Sequence, residues 1–475
     1  MLFVKINEPR WEYDVHSLVK AFYPHRQVKV LGEAQEMTGE PGIRIDISLE
    51  GICVRVQEHA PMCHKWQGME DKRKNEFKYF FYQCLSKVTG ISLPWGNLTG
   101  IRPTKIAMGM VEEGGTEEEI LRVFEEEHFV SREKAELAYD IARREKRILS
   151  SLHYKDGYSL YVGIPFCPST CLYCSFTSYP IGVFRERVDE YVDCLIEEMK
   201  ATAQIMDGKI LDTVYIGGGT PTTLEAEQLD RLICALKEIF DFSTVQEFTV
   251  EAGRADSITK EKLQVLYQHG VSRISVNPQT MREETLKYIG RRATAAQTIE
   301  AFRLARECGF DNINMDIILG LPGETQEDVR FTIDRICELG PESLTVHSLA
   351  VKRASKLRQF IEENGMDMFV NTDATMQIAA DGARCMEMEP YYLYRQKNMS
   401  GNFENVGYAK EGKAGIYNIL IMEEVQTIVA LGAGSITKRV FPDGRIERCD
   451  NVKDVTLYME KLTEMIGRKR VLFGE

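Results

Sequence analysis

Alternation of apolar and polar positions marks the start of the chain. LFVKI, and IRIDISL followed by ICVRVQ, read as strands, the latter two joined by a hairpin turn at Glu50-Gly51. Phe77, Phe80, Phe81, Cys84, Leu85 and Val88 then recur at helical spacing. They predict one amphipathic helix, closed by Gly90. After a loop marked by Gly and Pro (LPWGNLTGIRPT), Thr116 and Glu119 form a capping box that opens a second helix, and a third runs from Ser131. Arg102-Pro103-Thr104-Lys105 reads as a solvated loop sooner than as an anion site.

From Tyr158 the pattern becomes regular. Short apolar segments (SLYVGI, TVYIGGG, EFTVEA, RISVNP, INMDIILG, SLTVHSLA) alternate with helical ones around Val183–Met206, Leu229–Phe240, Lys260–His269, up to Cys308, and Gln326–Leu339. Six strand-then-helix units imply parallel strands with right-handed crossovers and helices on the sheet. A βα barrel, partial or full, and an open doubly wound sheet both fit, and both place ligands at the carboxyl ends of strands. After about residue 355 the alternation stops. Residues 357–388 read as helices, PYYLYRQKNMSGNFENVGYA as a loop with polar handles, and the chain ends helically. The expected organisation is an α+β accessory domain over 1–155, a core over 156–355 and a mainly helical domain over 356–475.

Composition narrows the class. Of 475 residues 44% are hydrophobic and 28% charged, as in folded globular chains. A formal charge of −13 makes a poor general binder of nucleic acid or of anionic membranes and leaves room for a local basic pocket that takes a small polyanion. No apolar run approaches the roughly 18 residues of a membrane span, and the start lacks a signal-peptide pattern, so a cytoplasmic protein is expected. Of twelve Cys, three fall within eight residues: Cys167, Cys171 and Cys174. In a reducing compartment such a cluster points to metal or redox chemistry. The others, among them Cys84, Cys194, Cys308 and Cys337, read as small apolar residues.

The strand ends carry the unusual residues. The three Cys follow the first strand and Gly217-Gly218-Gly219-Thr220-Pro221 the second. Glu251 ends the third, Asn277 and Gln279 the fourth; Asp316 lies in the fifth; His347 and Ala350 end the sixth. Thiolates in C-x3-C-x2-C spacing suit an iron–sulfur cluster, and three ligands on a four-iron cube leave one iron open. Zinc with a remote fourth ligand, or chance clustering, are the alternatives. The glycines allow close backbone approach or a tight turn. They match neither the dinucleotide fingerprint nor a P-loop. His347 is a candidate proton shuttle or haem ligand, or a hydrogen-bonded wall residue, and His269 reads as a structural helix-end residue. Arg353, Arg395, Lys397 and Arg439 are candidate partners for substrate carboxylates.

YVGIPFCPSTCLYC with YIGGGTPTTL resembles the radical S-adenosylmethionine superfamily. FTVEAGRAD, RISVNPQTM, YIGRRAT and INMDIILGLPGET are similar, in order, to the oxygen-independent coproporphyrinogen III oxidase (dehydrogenase) family. The N-terminal region and YYLYRQKNMSGNFENVGYA resemble its HemZ branch. The resemblance covers about residues 158–475. It implies a partial (β/α)6 radical-SAM barrel and a HemN-like C-terminal domain. It implies a [4Fe–4S] cluster held by Cys167, Cys171 and Cys174, with S-adenosylmethionine on the open iron. Tyr161, Tyr173, Gly218, Gly219, Thr220, Glu251, Gln279, Arg291, Asp316, Ala350 and Ile436 match positions around that cofactor.

The activity implied is oxidative decarboxylation of coproporphyrinogen III to protoporphyrinogen IX by a 5′-deoxyadenosyl radical, in haem biosynthesis, with an external electron donor. A haem or porphyrin chaperone of the same family, or a radical enzyme on another substrate, is the alternative. Phe176 stands where oxidases of the family carry a further Cys, as in the chaperone branch. Glu404-Asn405-Val-Gly-Tyr408-Ala409 stands where chaperones carry H-N-x-x-Y-W with a haem-linked His. Asn277-Pro278 replaces the usual pair of Gly and a hydrophobic residue, so the backbone carrying Gln279 is expected to differ.

Overall fold

The computed structural model describes residues 1–24, 26–35, 40–100, 102–175, 178–350, 357–364, 369–395 and 403–474, with the side chains of 358, 362 and 364 left aside. The chain divides into two units: Met1–Arg143 with Tyr394–Glu404, and Arg144–Leu393 with Asn405–Glu475.

The first unit is built on five strands, β1 (Leu2–Ile6), β2 (Val28–Gly32), β3 (Ile43–Ile47), β4 (Gly51–Val56) and β5 (Met62–Lys65), in the order β2-β1-β3-β4-β5. A helix over Glu12–Phe22 makes the parallel crossover from β1 to β2; this helix and β2 were not anticipated from the sequence. The predicted hairpin joins β3 to β4. The predicted amphipathic helix is Arg73–Thr89: Phe77, Phe81, Cys84 and Leu85 are buried, and Gly90 ends it in the left-handed conformation at φ 70°. The Thr116–Glu119 capping box is present. Thr104 and Lys105 are not in a loop. They open the helix Thr104–Glu112, for which Pro103 pre-sets the backbone. Cys53 and Cys63, opposite each other on β4 and β5, form a disulfide instead of packing as separate apolar residues.

The second unit carries β6 (Gly157–Ile164), β7 (Ile210–Gly218), β8 (Glu247–Gly253), β9 (Arg273–Val276), β10 (Ile313–Leu319) and β11 (Ser343–Ser348), each paired in parallel with the next. These are the six expected strands, and together with their helices they form the partial (β/α)6 barrel. Alternate residues split between two faces. Leu160, Val162, Val214, Ile216, Val250, Ile274, Met315, Ile317, Leu344 and Val346 are fully or almost fully buried. The intervening positions are polar: Ser159 and Tyr161, Thr213 and Tyr215, Glu247, Thr249 and Glu251, Arg273 and Ser275, Asn314 and Asp316, Thr345 and His347.

The C-terminal segment contains helices at Leu357–Asn364, Asp373–Cys385, Ile416–Glu423, Val455–Glu460 and Leu462–Phe473. It also supplies five strands to the same sheet: β12 (Glu389–Tyr394), β13 (Asn405–Ala409), β14 (Thr427–Leu431), β15 (Ile436–Val440) and β16 (Ile446–Asp450). PYYLY and NVGYA are therefore strands. The loop reading fails there because Tyr391, Tyr392 and Leu393, and all of Asn405–Ala409, are buried. β13 lies antiparallel beside β11, while β14 lies parallel beside β6.

A buried ion pair ties the last helix to the first core helix, Val188–Ile205. Lys469 and Glu198, at most 2% exposed, are in direct contact. Tyr458 (2.6 Å), Asn451 (2.8 Å) and the Gly432 amide (2.8 Å) donate the remaining hydrogen bonds to Glu198. Removing one partner of such a pair leaves an uncompensated buried charge, at a cost of about 3–5 kcal/mol. Lys469→Met is therefore expected to lower the unfolding free energy of the second unit, measured by urea titration, by an amount in this range.

Candidate functional site

Downstream of β6, Phe166–Cys167 pairs with Tyr179–Pro180, which pins both ends of the loop bearing the three thiols. Within it the Cys174 amide donates to the Cys171 carbonyl (3.2 Å). The Leu172 amide donates to Ile289 O (2.9 Å) and the Ser169 hydroxyl to Gly290 O (3.2 Å). Cys167 and Cys171 are buried, and Cys174 is half-buried. Cys167 Sγ lies 3.4 Å from Thr220 Oγ1. Burial pushes the Cys167 thiol up, Thr220 opposes this, and Cys174 and Cys171 add to it. Tetrahedral zinc would draw thiolates to about 3.8 Å from one another. Among the described residues only Asp230, Cys234 and His269 gather three ligand atoms within 4.8 Å, so the loop thiols stand wider than a single ion needs. A larger, thiolate-bound cluster fits them.

The glycine loop is shaped by this neighbour. The amides of Gly219 and Thr220 donate to Ile164 O and Phe166 O, both at 2.7 Å. A Cβ at Gly219 would lie 2.5 Å from Phe166 O. One at Gly217 would lie 2.7 Å from the Tyr215 ring and 3.1 Å from the Glu251 carboxyl carbon. Gly218 has φ +110°, which side chains rarely adopt. The three glycines are thus required by protein packing alone.

Glu251 accepts from Tyr215 OH at 2.5 Å. Burial raises its carboxyl to about 7 against the hydrogen bonds from Tyr215 and the Gly218 amide, with Asp316 adding to the rise. Asp316 goes the other way. Although burial opposes ionisation, the nearby His347 and a hydrogen bond from Asn314 (2.6 Å) hold it below the usual range. His347 Nε2 is 3.9 Å from Asp316. Pro278 interrupts β9, and the chain rejoins β10 at Gln279, whose amide donates to Asp316 O (2.9 Å) at φ +66°. Arg291 donates to Asn277 O (2.5 Å) and to Tyr173 OH (3.4 Å), while its Nε is buried without a partner. Tyr161 stacks with Tyr215 and Tyr417, each at 6.2 Å between centroids. Ala350 follows β11, and Ile436 opens β15 and is 45% exposed.

Other residues enter the site without having been singled out in the sequence. Tyr215 and Tyr417 stack at 4.4 Å. Glu247 positions Tyr417 by accepting from the amides of Ile416 (2.6 Å) and Tyr417 (3.2 Å) at a helix start. Arg254 reaches the thiol loop: Nη1 donates to Ser169 O at 2.8 Å and lies 3.8 Å from Cys171 Sγ. The signal for Tyr215 was its place two residues before Gly217, on the same strand face. Arg254 had its place just past a strand end.

Among the proposed carboxylate partners, Arg395 is buried in the N-terminal unit, donating to Leu98 O (2.5 Å) and stacked over Trp95. Arg439 donates to Leu472 O (2.7 Å) between Phe441 and Phe473. Both guanidinium groups are committed to the fold. Arg353, Lys397 and Phe176 lie outside the described residues. His269 caps a helix end and meets Asp230 at 2.7 Å, in keeping with a structural role.

Residues 161–336 match the model of the radical SAM superfamily. The chain is 41% identical over 402 residues to the oxygen-independent coproporphyrinogen-III oxidase-like protein HemZ of Bacillus subtilis (strain 168), covering 83% of this chain and 80% of that one. It belongs to the radical SAM superfamily, in the HemZ-like branch. The heme chaperone HemW of Bacillus subtilis (strain 168) is 39% identical over 195 residues, 41% of this chain and 51% of its own. The solved structure of coproporphyrinogen III oxidase (HemN) from Escherichia coli, a radical SAM enzyme, shares the fold at a TM-score of 0.53 and 22% identity. That match covers 68% of this chain and 72% of HemN. The cofactors of this superfamily are a [4Fe–4S] cluster and S-adenosylmethionine. No helix among the described residues is long and apolar enough to cross a membrane.

Two outcomes follow from this geometry. Gly219→Ala is expected to push the glycine loop off Phe166 and to lower the iron bound per chain after anaerobic reconstitution, measured against wild type. The raised Glu251 carboxyl keeps its proton in the folded chain after the unfolded chain has lost it. Its contribution therefore destabilises the cofactor-free protein increasingly as pH rises from about 4.5 to about 7, and then levels off. Urea midpoints across this window should fall more steeply for wild type than for Glu251→Gln.

Proposed function

We propose that the chain is a radical enzyme of tetrapyrrole synthesis that decarboxylates coproporphyrinogen III. The observation that carries the reading is the meeting, at one set of strand ends, of three thiols, an unpartnered guanidinium N–H on Arg291 and the carboxylates of Glu251 and Asp316. A sulfonium amino acid bearing a ribose needs a cation for its carboxylate and carboxylates for its ammonium and hydroxyls. In this reading Cys167, Cys171 and Cys174 hold the cluster. Arg291 takes the cofactor carboxylate and Glu251 its ammonium, and Asp316 takes a ribose hydroxyl. Tyr161, Tyr173, Gly218, Gly219, Thr220, Gln279, Ala350 and Ile436 line the remainder. When bound, cluster and cofactor supply a carbon-centred radical able to take a hydrogen from the β-carbon of a propionate. Loss of CO2 and of one electron to an external acceptor then leaves a vinyl group. The residues of this chain bind, orient and keep the site dry.

Identity to HemW favours a second reading, a haem carrier. Against it stands the state of Glu404, which occupies the place of the haem-linked His. Glu404 is 1% exposed, ion-paired to Lys134 at 2.8 Å and accepting from Trp95 Nε1 at 2.7 Å.

The test is an anaerobic assay of reconstituted protein with coproporphyrinogen III, S-adenosylmethionine and a one-electron reductant, read by chromatography of the porphyrins. Protoporphyrinogen IX is expected, and Ser at any one of the three cysteines should abolish it. Stoichiometric haem binding without product would favour the carrier. Cofactor cleavage with the tetrapyrrole unchanged would point to another substrate.

A further inference from the structure

Arg254 stands three residues beyond Glu251, after Gly253 has turned the chain at φ +62°. Its side chain is 5% exposed. Burying a guanidinium is costly unless its donors are satisfied and its charge is paired. Asp256 does this on one edge, taking Nε at 3.0 Å and Nη2 at 2.7 Å in a two-pronged pairing. With that edge held, Nη1 is fixed toward the thiol loop. There it meets Ser169 O at 2.8 Å, Ser169 Oγ at 3.0 Å and Cys171 Sγ at 3.8 Å. The Ser257 amide and hydroxyl donate to Arg254 O at 3.0 and 2.8 Å, which fixes the backbone from which the side chain departs. Cys171 also interacts with Arg291, so two cations face one sulfur.

We propose that Arg254 is a positioning and tuning residue of the [4Fe–4S] cluster: through Ser169 it sets the turn between Cys167 and Cys171, and through the Cys171 sulfur it raises the cluster's reduction potential. The inference rests on the reading of the three cysteines as cluster ligands. Reduction by an external one-electron donor adds a negative charge to the cluster and its thiolates. A fixed cation donating to a ligand sulfur stabilises the reduced state more than the oxidised one, and hydrogen bonds to sulfur and local charge are the protein's means of setting such potentials. Asp256 aims the guanidinium and leaves its far arm as the positive end nearest the cluster. Lys carries the charge but lacks the fork, and so cannot serve Asp256, Ser169 and Cys171 together.

The test is an EPR-monitored redox titration of the anaerobically reconstituted full chain, with iron and labile sulfide counted for each variant. Arg254→Met is expected to bind the cluster with a midpoint potential shifted to more negative values. Arg254→Lys should shift it in the same direction by less. If Arg254→Met fails to assemble a cluster while the melting temperature of the cluster-free protein is unchanged, the positioning role is supported and Arg254→Lys carries the potential measurement. A full cluster with an unchanged potential in both variants would overturn the proposal. Cys171→Ser is the separate check on the cluster reading: retention of a full cluster there would overturn the assignment of the ligands, whatever Arg254 does.

Discussion

The site depends on how closely two backbones approach at the exits of β6 and β7. The parallel register sets Ile164 opposite Gly218. Beyond that pair the amides of Gly219 and Thr220 close onto the carbonyls of Ile164 and Phe166. Because Phe166 directly precedes Cys167, the loop that carries the thiols and the loop that carries the glycines are one hydrogen-bonded object. A side chain at Gly219 has no space between them. Thr220, placed by the same contact, then reaches Cys167 with its hydroxyl. The geometry around the first thiol is thus set by main-chain packing, which is stiffer than any side-chain contact.

A second constraint acts on charge. The barrel interior holds Glu247, Glu251 and Asp316 with Arg273, which is 1% exposed. Burial favours the neutral form of Glu251 and of Asp316. Their partners separate them. Two backbone amides donate to Glu247, His347 and the Asn314 hydrogen bond hold Asp316 below the usual range, and burial holds Glu251 up at about 7 against Tyr215 and the Gly218 amide. Glu251 and Asp316 therefore differ in state by environment and not by type.

The barrel was legible because its period is short and its strands are separated by helices long enough to show their own periodicity. The positions of Cys167, Cys171, Cys174, Gly218, Glu251 and Asp316 at or near strand ends followed from it. What the sequence hid has a common physical cause. β12 and β13 are rich in Tyr, Asn and Gly, residues typical of loops, yet they are buried within a sheet whose other strands lie far away in sequence. Arg395 and Arg439 looked available because the carbonyls of Leu98 and Leu472 that occupy them are distant in the chain or carry no side-chain signature. Arg254 was passed over for the opposite reason: nothing near it in sequence marks Ser169 or Cys171 as its partners. Tyr417 entered the site through ring stacking and through Glu247, a helix cap 170 residues upstream.

Position 404 shows how a changed residue alters what a fold can do. A His there would present an imidazole that can be neutral or cationic. Glu404 instead bears a charge that must be matched. It is matched within the N-terminal unit, by the Lys134 ammonium and the Trp95 indole N–H, with Lys134 itself held over Phe403. Burial opposes the charge on Lys134, yet Glu404 keeps the ammonium above its ordinary range. Freeing Glu404 to meet a metalloporphyrin would strand a buried lysine and an indole donor, an arrangement costing several kcal/mol. Asn405, the next residue, is committed separately, its Oδ1 accepting from the Ser348 amide at 2.9 Å in the second unit. The segment corresponding to a chaperone's haem-linked motif is in this chain committed to contacts inside each unit: Glu404 to Lys134 and Trp95, and Asn405 to Ser348.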